Sequence, residues 1–340
     1  MDIQNADYIH FLDSLKQKVR LAQTKASLSV NREMILLYWE MGRDIIGRQE
    51  ALGWGAKVIQ QLSHDLRREF PDVQGFSPRN LKFMRSLAEA YSEEELVKQA
   101  VSLIPWGHNI RIIQKVKEPH LREWYIKKTI ENGWSRSVLV HQIESELHQR
   151  LGTATSNFAS TLPQPQSELV QEITKDPYVF DFLTLSNEAN ERDIEKALLE
   201  HIREFLLELG VGFAFVGSQV HLEVGGDDFY IDLLFYHLKL RCYVVIDLKV
   251  KKFTPGDVGQ LNFYLSVVDD QRRHPDDQPS IGIIICKDKN AAVVEYALRD
   301  IDKPVGVSGY EMTKAIPEDL KGSLPTIEAL EAELEDFGDG

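Results

Sequence analysis

The chain has 340 residues, 43% hydrophobic and 27% charged, which suffices for two ordinary domains folded by burial alone and excludes a wholly disordered, collagenous or coiled-coil protein. Two cysteines, Cys242 and Cys286, supply neither a disulfide framework nor a four-ligand zinc site, so a reducing cytoplasm is expected; MDIQNADYIHF lacks a basic region followed by an apolar stretch and no run reaches the ~20 apolar residues of a membrane helix, so neither export nor membrane insertion is expected. The net charge of −14 is unevenly spread, with 22 Lys/Arg against 19 Asp/Glu in residues 1–160 and 17 against 34 in residues 161–340, so it neither proves nor excludes a polyanionic partner.

The first 150 residues read as helices. From Tyr8 to about Gln49, Leu12, Leu15 and Val19, then Ile35, Leu36 and Trp39, recur near the helical period. A second helix is expected over Ala56–Phe70, stopped by Pro71 and the turn at Gly75. Ser77 can cap and Pro78 can open the next, NLKFMRSLAEAY. Its basic residues Arg79, Lys82 and Arg85 recur every three positions, a face that could lie on phosphates, although a solvated face is commoner because Glu89 follows. More helices are expected near Leu96–Leu103, Ile110–Lys115, Leu121–Asn132 and Ser135–Gln149. His108, in Trp106-Gly107-His108-Asn109, has no second histidine at ligand spacing, so no metal is assigned there.

Residues 152–168, GTATSNFASTLPQPQSE, are small, polar and proline-bearing and read as a linker between a helical domain of residues 1–151 and a second domain of residues 169–316. Proteolysis is expected to cut there first. The second domain reads as a helix over Glu191–Leu209, strands GFAFVG and QVHLEV, a Gly225-Gly226 turn, strands FYIDLLFY and LRCYVVIDLKV, a helix over Val258–Val268, strand SIGIIIC, a helix over Ala291–Leu298 and strand PVGVS. That is αβββαβ with an appended αβ. Residues 317–340 form an acidic tail, with 8 acids and one lysine.

A carboxylate inside an apolar strand costs several kcal/mol unless compensated, so Asp232 in YIDLLF and Asp247 in YVVIDLK ask for a reason. A tight antiparallel pair sets them side by side, and alternation puts Lys249 on the face of Asp247. Two acids and a lysine suit a hard cation and a phosphodiester. These groups are expected to converge at one end of a mixed sheet, with Gln260 and Tyr264 four apart on the next helix.

At this point the text resembles the YhcG-type nucleases of bacteria, in the PD-(D/E)XK phosphodiesterase superfamily. The matching strings are ELGVGFAFVGSQVHLEVGGDDFYIDLLFYHLKLRCYVVIDLK and GQLNFYLS, with LLYWEMGRDI, GWGAKVI, FSPRNLKFMRSLAEAY, PWGHN and NGWSRSVL, nearly the whole chain. The resemblance implies a helical amino-terminal domain followed by a restriction-endonuclease-like αβββαβ domain. It also implies that Asp232, Asp247 and the carbonyl of Leu248 hold Mg²⁺, or Mn²⁺, that Lys249 orients or deprotonates a water, and that Gln260 with Tyr264 forms the Gln-x-x-x-Tyr helix of the RecB-like branch. Two departures stand out: Ile231 occupies the place of the motif's proline, and Asp247 stands where glutamate is usual in the family. A further acid from the first core helix is expected, and helical spacing favours Glu195 over Glu200; Gln219 is a weaker candidate.

The function so implied is a cytoplasmic, Mg²⁺-dependent DNA nuclease with a role in repair, recombination or defence. Its alternatives are a nucleic-acid-binding or protein-interaction scaffold with a vestigial site, and an RNA nuclease. A homo-oligomer stays open. No P-loop or Rossmann fingerprint appears, so the chain carries no motor of its own.

Overall fold

A computed structural model describes residues 6–52, 56–183 and 189–312, which leaves the acidic tail of residues 317–340 outside the described residues. The chain divides into two units, Met1–His148 and Gln149–Gly340.

The first unit is helical: α1 (Ala6–Leu52), α2 (Ala56–Glu69), α3 (Pro78–Ala90), α4 (Glu94–Gln99), α5 (Trp106–Lys115), α6 (Pro119–Asn132) and α7 (Arg136–Glu144), with the short α8 (Leu147–Arg150) at the junction. The Ser77 hydroxyl accepts the Asn80 N–H and Pro78 sits in the first turn of α3, as the sequence predicts. Gly42 is where α1 meets α3, since a Cβ there would stand 2.1 Å from the Met84 carbonyl oxygen. Trp39, Leu87, Tyr91, Val101, Tyr125 and Leu139 fill the core.

Three expectations change here, the first being that the helix expected over Ser135–Gln149 ends at Glu144 and resumes as α8 at Leu147, with Glu146 at a φ of 50°. The helix expected over Leu96–Leu103 breaks into α4 and a 3₁₀ turn, Val101–Leu103. The helix expected at Ile110 starts four residues earlier, so His108 and Asn109 are buried helical residues. Asn109 donates to the carbonyls of Val101 and Ile104, and His108 Nε2 lies 2.9 Å from the Trp134 carbonyl. These side chains serve backbone groups.

The second unit contains β1 (Thr155–Ser156), α9 (Phe158–Thr161), α10 (Gln166–Ile173), β2 (Tyr178–Val179), α11 (Glu191–Glu200), α12 (Ile202–Leu209), β3 (Phe213–Val224), β4 (Asp227–His237), β5 (Cys242–Lys252), α13 (Pro255–Gln271), β6 (Ile281–Asp288), α14 (Ala291–Leu298) and β7 (Val305–Glu311). The sheet order is β1-β7-β6-β5-β4-β3, with β2 beside β7. The pairs β3–β4 and β4–β5 are antiparallel and the pairs β5–β6 and β6–β7 parallel. One face packs on α11 and α12 through Leu198, Phe205, Phe235 and Ile246. The other packs on α13 and α14 through Leu234, Val245, Leu261 and Val294.

The single helix expected over Glu191–Leu209 breaks at His201, whose φ of −109° and ψ of 37° lie off the α-helical values. The two strands expected over residues 212–224 are one, with an irregularity between Phe215 and Gly217.

The linker expectation is corrected. Residues 152–168 are built into the second unit: β1 pairs with β7, Phe158 is fully buried in the core, and Asn157 clasps the strand edge. Its amide donates to the carbonyls of Ile301 and Lys303, both at 3.0 Å, and its oxygen accepts the Val305 N–H at 2.8 Å. Composition misled because two residues, Asn157 and Phe158, do the anchoring for a polar run.

Asn157→Ala therefore leaves buried backbone groups unpaired and should cost about 3 kcal/mol in denaturant unfolding; a loss below ~0.5 kcal/mol would contradict the clasp. Limited proteolysis of the native chain should spare residues 154–162, the reverse of what a linker gives.

Candidate active site

Strand pairing sets the site before any side chain is considered. The β4–β5 ladder runs from His237↔Cys242 to Leu233↔Ile246 and stops; the next pair in that register is Asp232 with Asp247. Gln219, between the pairs Ser218↔Leu233 and Val220↔Ile231, falls opposite Asp232. The sheet thus aligns Gln219, Asp232 and Asp247 across three adjacent strands. Where the ladder ends, the Asp232 carboxylate takes over as acceptor: its Oδ2 receives the Leu248 N–H at 3.0 Å.

Asp247 is 2% exposed. Lys249, two residues on and on the same face, reaches it with Nζ 3.0 Å from Oδ1 and 2.9 Å from Oδ2. The Oδ2 distance is ionic only, because that oxygen has no hydrogen bond of acceptable geometry among the described residues. Burial pushes the Asp247 carboxyl up to about 7; Lys249 opposes the shift, while the charge of Asp232 and a hydrogen bond with it reinforce it. Burial opposes the charge on Lys249, yet Asp247 beside it holds the amine above the ordinary lysine value.

Helix α13 completes one side. Gln260 Oε1 lies 3.5 Å from Lys249 Nζ, and Gln260 Nε2 donates to the Tyr264 hydroxyl at 2.9 Å. Helix α11 completes the other. Glu195, 6% exposed, accepts from Gln219 Nε2 at 2.7 Å, and the same amide lies 3.4 Å from Asp232 Oδ1. Burial raises the Glu195 pKa, partly offset by the Gln219 bond and aided by the charge of Asp232. A capping box between Asn190 and Asp193 starts α11 one turn before Glu195.

The structure therefore brings Asp232, Asp247, Lys249, Gln260, Tyr264 and Glu195 together, and promotes Gln219 to the link between the α11 acid and the strand acid. A groove of about 380 Å³ opens over Glu195, Gln219, Asp232 and Tyr264. Arg192 and Tyr230 also line it. Neither is among the residues that the sequence singles out, although Tyr230 is two residues from Asp232 and shares its face by strand alternation. Arg79, Lys82 and Arg85 lie in the other unit. Arg79 stacks over the Phe83 ring, Lys82 is exposed, and Arg85 pairs with Glu89 at 3.1 Å, which weakens the predicted basic face.

A divalent cation fits these donors. Two carboxyls adjoin, one buried carboxylate oxygen lacks a hydrogen bond, and the Asp247 pKa is what a charge awaiting compensation shows. Among the described residues no group of three or more Asp, Glu, His or Cys forms a cage; a hard ion such as Mg²⁺ binds through one or two carboxylates and keeps water.

The family model described as the YhcG PDDEXK nuclease domain matches residues 171–325, and that described as the DUF1016 N-terminal domain matches residues 14–150. The Escherichia coli (strain K12) protein named "Putative nuclease YhcG" is 33% identical over 345 residues, covering 90% of this chain and 91% of its own length. Among solved structures, a repair endonuclease from Pyrococcus abyssi aligns at 15% identity over 39% of this chain with a TM-score of 0.27, and an EndoMS complex with double-stranded DNA at 14% over 41%, also with 0.27. The chain spans about half the length of those two.

A buried acid with a raised pKa makes a signed prediction. Between the ordinary aspartate value of 3.8 and about 7, the folded chain holds a proton that the unfolded chain has released, so without divalent ions stability should fall as pH rises through that window. Asp247→Asn should flatten the fall, leaving the smaller share of Glu195. Equal slopes in urea unfolding from pH 4 to 7 would contradict the burial argument.

Proposed function

We propose that this chain, which belongs to the YhcG PDDEXK nuclease family, is a divalent-cation-dependent DNA phosphodiesterase whose reaction centre is the Asp232–Asp247–Lys249 group. The observation that carries the reading is the meeting of two strand carboxyls and one lysine amine where the β4–β5 ladder ends, beside a groove open to a polymer. Mg²⁺, with Mn²⁺ as a substitute, is the proposed cofactor, held by Asp232, Asp247 and the Leu248 carbonyl. When bound, such an ion neutralises charge on the phosphate and acidifies a water.

The chain's own residues divide the remaining work. Lys249 stays protonated beside Asp247 and offers N–H donors to the attacking water or to a phosphate oxygen. Gln260, tied to Tyr264, fixes where that amine points, and preorganised donors of this kind account for much of the rate in charged transition states. Gln219 holds Asp232 and Glu195 in register. The Leu248 N–H fixes one Asp232 oxygen and leaves Oδ1 facing the groove side with Gln219.

Repair, recombination or defence is the proposed setting, as the family resemblance suggests. A reducing cytoplasm is supported by the two free, buried thiols of Cys242 and Cys286. No described helix is long and apolar enough to cross a membrane.

The test is purified chain on single-stranded, duplex and branched DNA and on RNA, with Mg²⁺, Mn²⁺ or a chelator. Asp247→Asn and Lys249→Gln should each lower metal-dependent DNA cleavage on the order of a hundredfold or more, with far-UV circular dichroism unchanged. Metal-free DNA affinity of Asp247→Asn should hold or rise, because a negative charge facing phosphate is gone. Wild-type cleavage by Asp247→Asn would defeat the mechanism; DNA binding without cleavage under any cation would favour a vestigial-site scaffold, and cleavage confined to RNA would reassign the substrate.

A further inference from the structure

Residues 161–340 carry 17 Lys/Arg against 34 Asp/Glu and residues 1–160 carry 22 against 19, so the helical unit is the richer source of local cationic patches for a DNA backbone. We propose that the groove between α5 and α7 of the helical unit is a binding site for the phosphodiester backbone of duplex DNA, anchored by Arg111 and Arg136. The proposal deepens the nuclease reading and rests on it for the identity of the polymer.

The groove holds about 400 Å³ and is lined by Arg111 and Lys115 from α5 and by Arg136, Ser137, Val140, His141 and the acid Glu144 from α7. Arg111 and Lys115 are one turn apart on one face. Arg136 reaches from α7 to α5 beside Gly107, where a Cβ would lie 3.4 Å from Arg136 Cδ and 3.6 Å from Nη1, in ordinary contact. The two arginines thus approach one groove from opposite helices. Both are exposed, and among the described residues neither takes part in an ion pair; Arg111 has only the Gln114 amide oxygen at 3.4 Å. Lys115 is partly spent on Glu144, at 2.5 Å, and counts for less. Ser135 caps α7, which turns the positive end of that helix dipole toward the Arg136 end of the groove.

Two sequence strings that the nuclease chemistry does not use meet here. PWGHN supplies Gly107, and NGWSRSVL supplies Arg136 and Ser137. The remaining members hold the helices in place: His108 reaches the Trp134 carbonyl, and Trp106 donates to Asn80 at 2.8 Å. By comparison, Arg85 of the α3 face is already neutralised by Glu89. The groove is where unpaired arginines converge.

The experiment uses the full chain carrying Asp247→Asn, so that duplex DNA is bound without being cut, and follows fluorescence anisotropy from about 50 to 200 mM salt. Adding Arg111→Gln and Arg136→Gln should weaken low-salt binding about tenfold or more and make the slope of log affinity against log salt shallower by about two, since each phosphate contact contributes roughly 0.9. Arg111→Lys with Arg136→Lys should keep most of the slope, because charge is retained, and circular dichroism with thermal unfolding establishes that each variant is folded. An unchanged slope in a folded double-glutamine variant overturns the groove while leaving the nuclease reading intact. A lost slope in a chain that never cuts any DNA supports the groove and removes the nuclease reading. A wild-type chain that neither binds nor cuts duplex DNA overturns both.

Discussion

The nuclease unit is arranged around the burial of one charge, the carboxyl of Asp247. It sits at 2% exposure in a strand whose neighbours Val245, Ile246 and Leu248 are all core residues. An ionised carboxyl there costs several kcal/mol unless compensated. One cation, Lys249, is supplied from the same strand, and a second acid, Asp232, is set beside it, which undoes part of that compensation. The result is a carboxyl with its pKa near neutrality. Such a group gains from any further positive charge that the groove can admit.

The sheet produces this without distorting its core. Antiparallel pairing carries β4 and β5 to Leu233↔Ile246, and the Asp232 side chain then replaces backbone as the acceptor for Leu248 N–H. The ladder stops at Leu233↔Ile246 although β4 reaches back to Asp227 and β5 runs on to Lys252, so both acids lie in strand that is no longer paired between β4 and β5. Helix α13 packs through Val258, Leu261 and Leu265, and the same helical period delivers Gln260 to Lys249. Packing and positioning are thus carried by different faces of one helix.

Local periodicity explains what was readable from the sequence. The spacing of Asp247 and Lys249 is a strand repeat and that of Gln260 and Tyr264 a helical turn, so each pair could be placed on one face without knowing the fold. The resemblance then ordered the pairs. Contacts with no local signature were out of reach. Glu195 and Gln219 lie 24 residues apart, and nothing in either segment announces the other. Asn157 finds its partners 144 to 148 residues away, so a run of small polar residues read as a linker when it is a strand-edge clasp. The break at His201 likewise reflects backbone angles that no capping residue or proline marks.

A second buried carboxylate in the same unit shows why the first is set apart. Glu208 is 1% exposed, yet its Oε1 accepts from Arg150 at 2.7 Å and from the Val179 N–H at 2.9 Å. Lys175 lies 3.8 Å from its Oε2 and donates to its backbone carbonyl. Two cations, Arg150 and Lys175, answer one acid. That network ties the end of α8 and the β2 strand to α12, although Glu208 Oε2, like Asp247 Oδ2, accepts no hydrogen bond among the described residues. Asp247 has the opposite sum: two acids to one cation, beside an open groove. A carboxylate whose charge is met by its own chain suits a scaffold, whereas one left short of positive charge at the edge of a cleft suits the cation proposed above. The two acids, buried to nearly the same degree, differ in the balance of charge around them, and that difference supports the role proposed for Asp247.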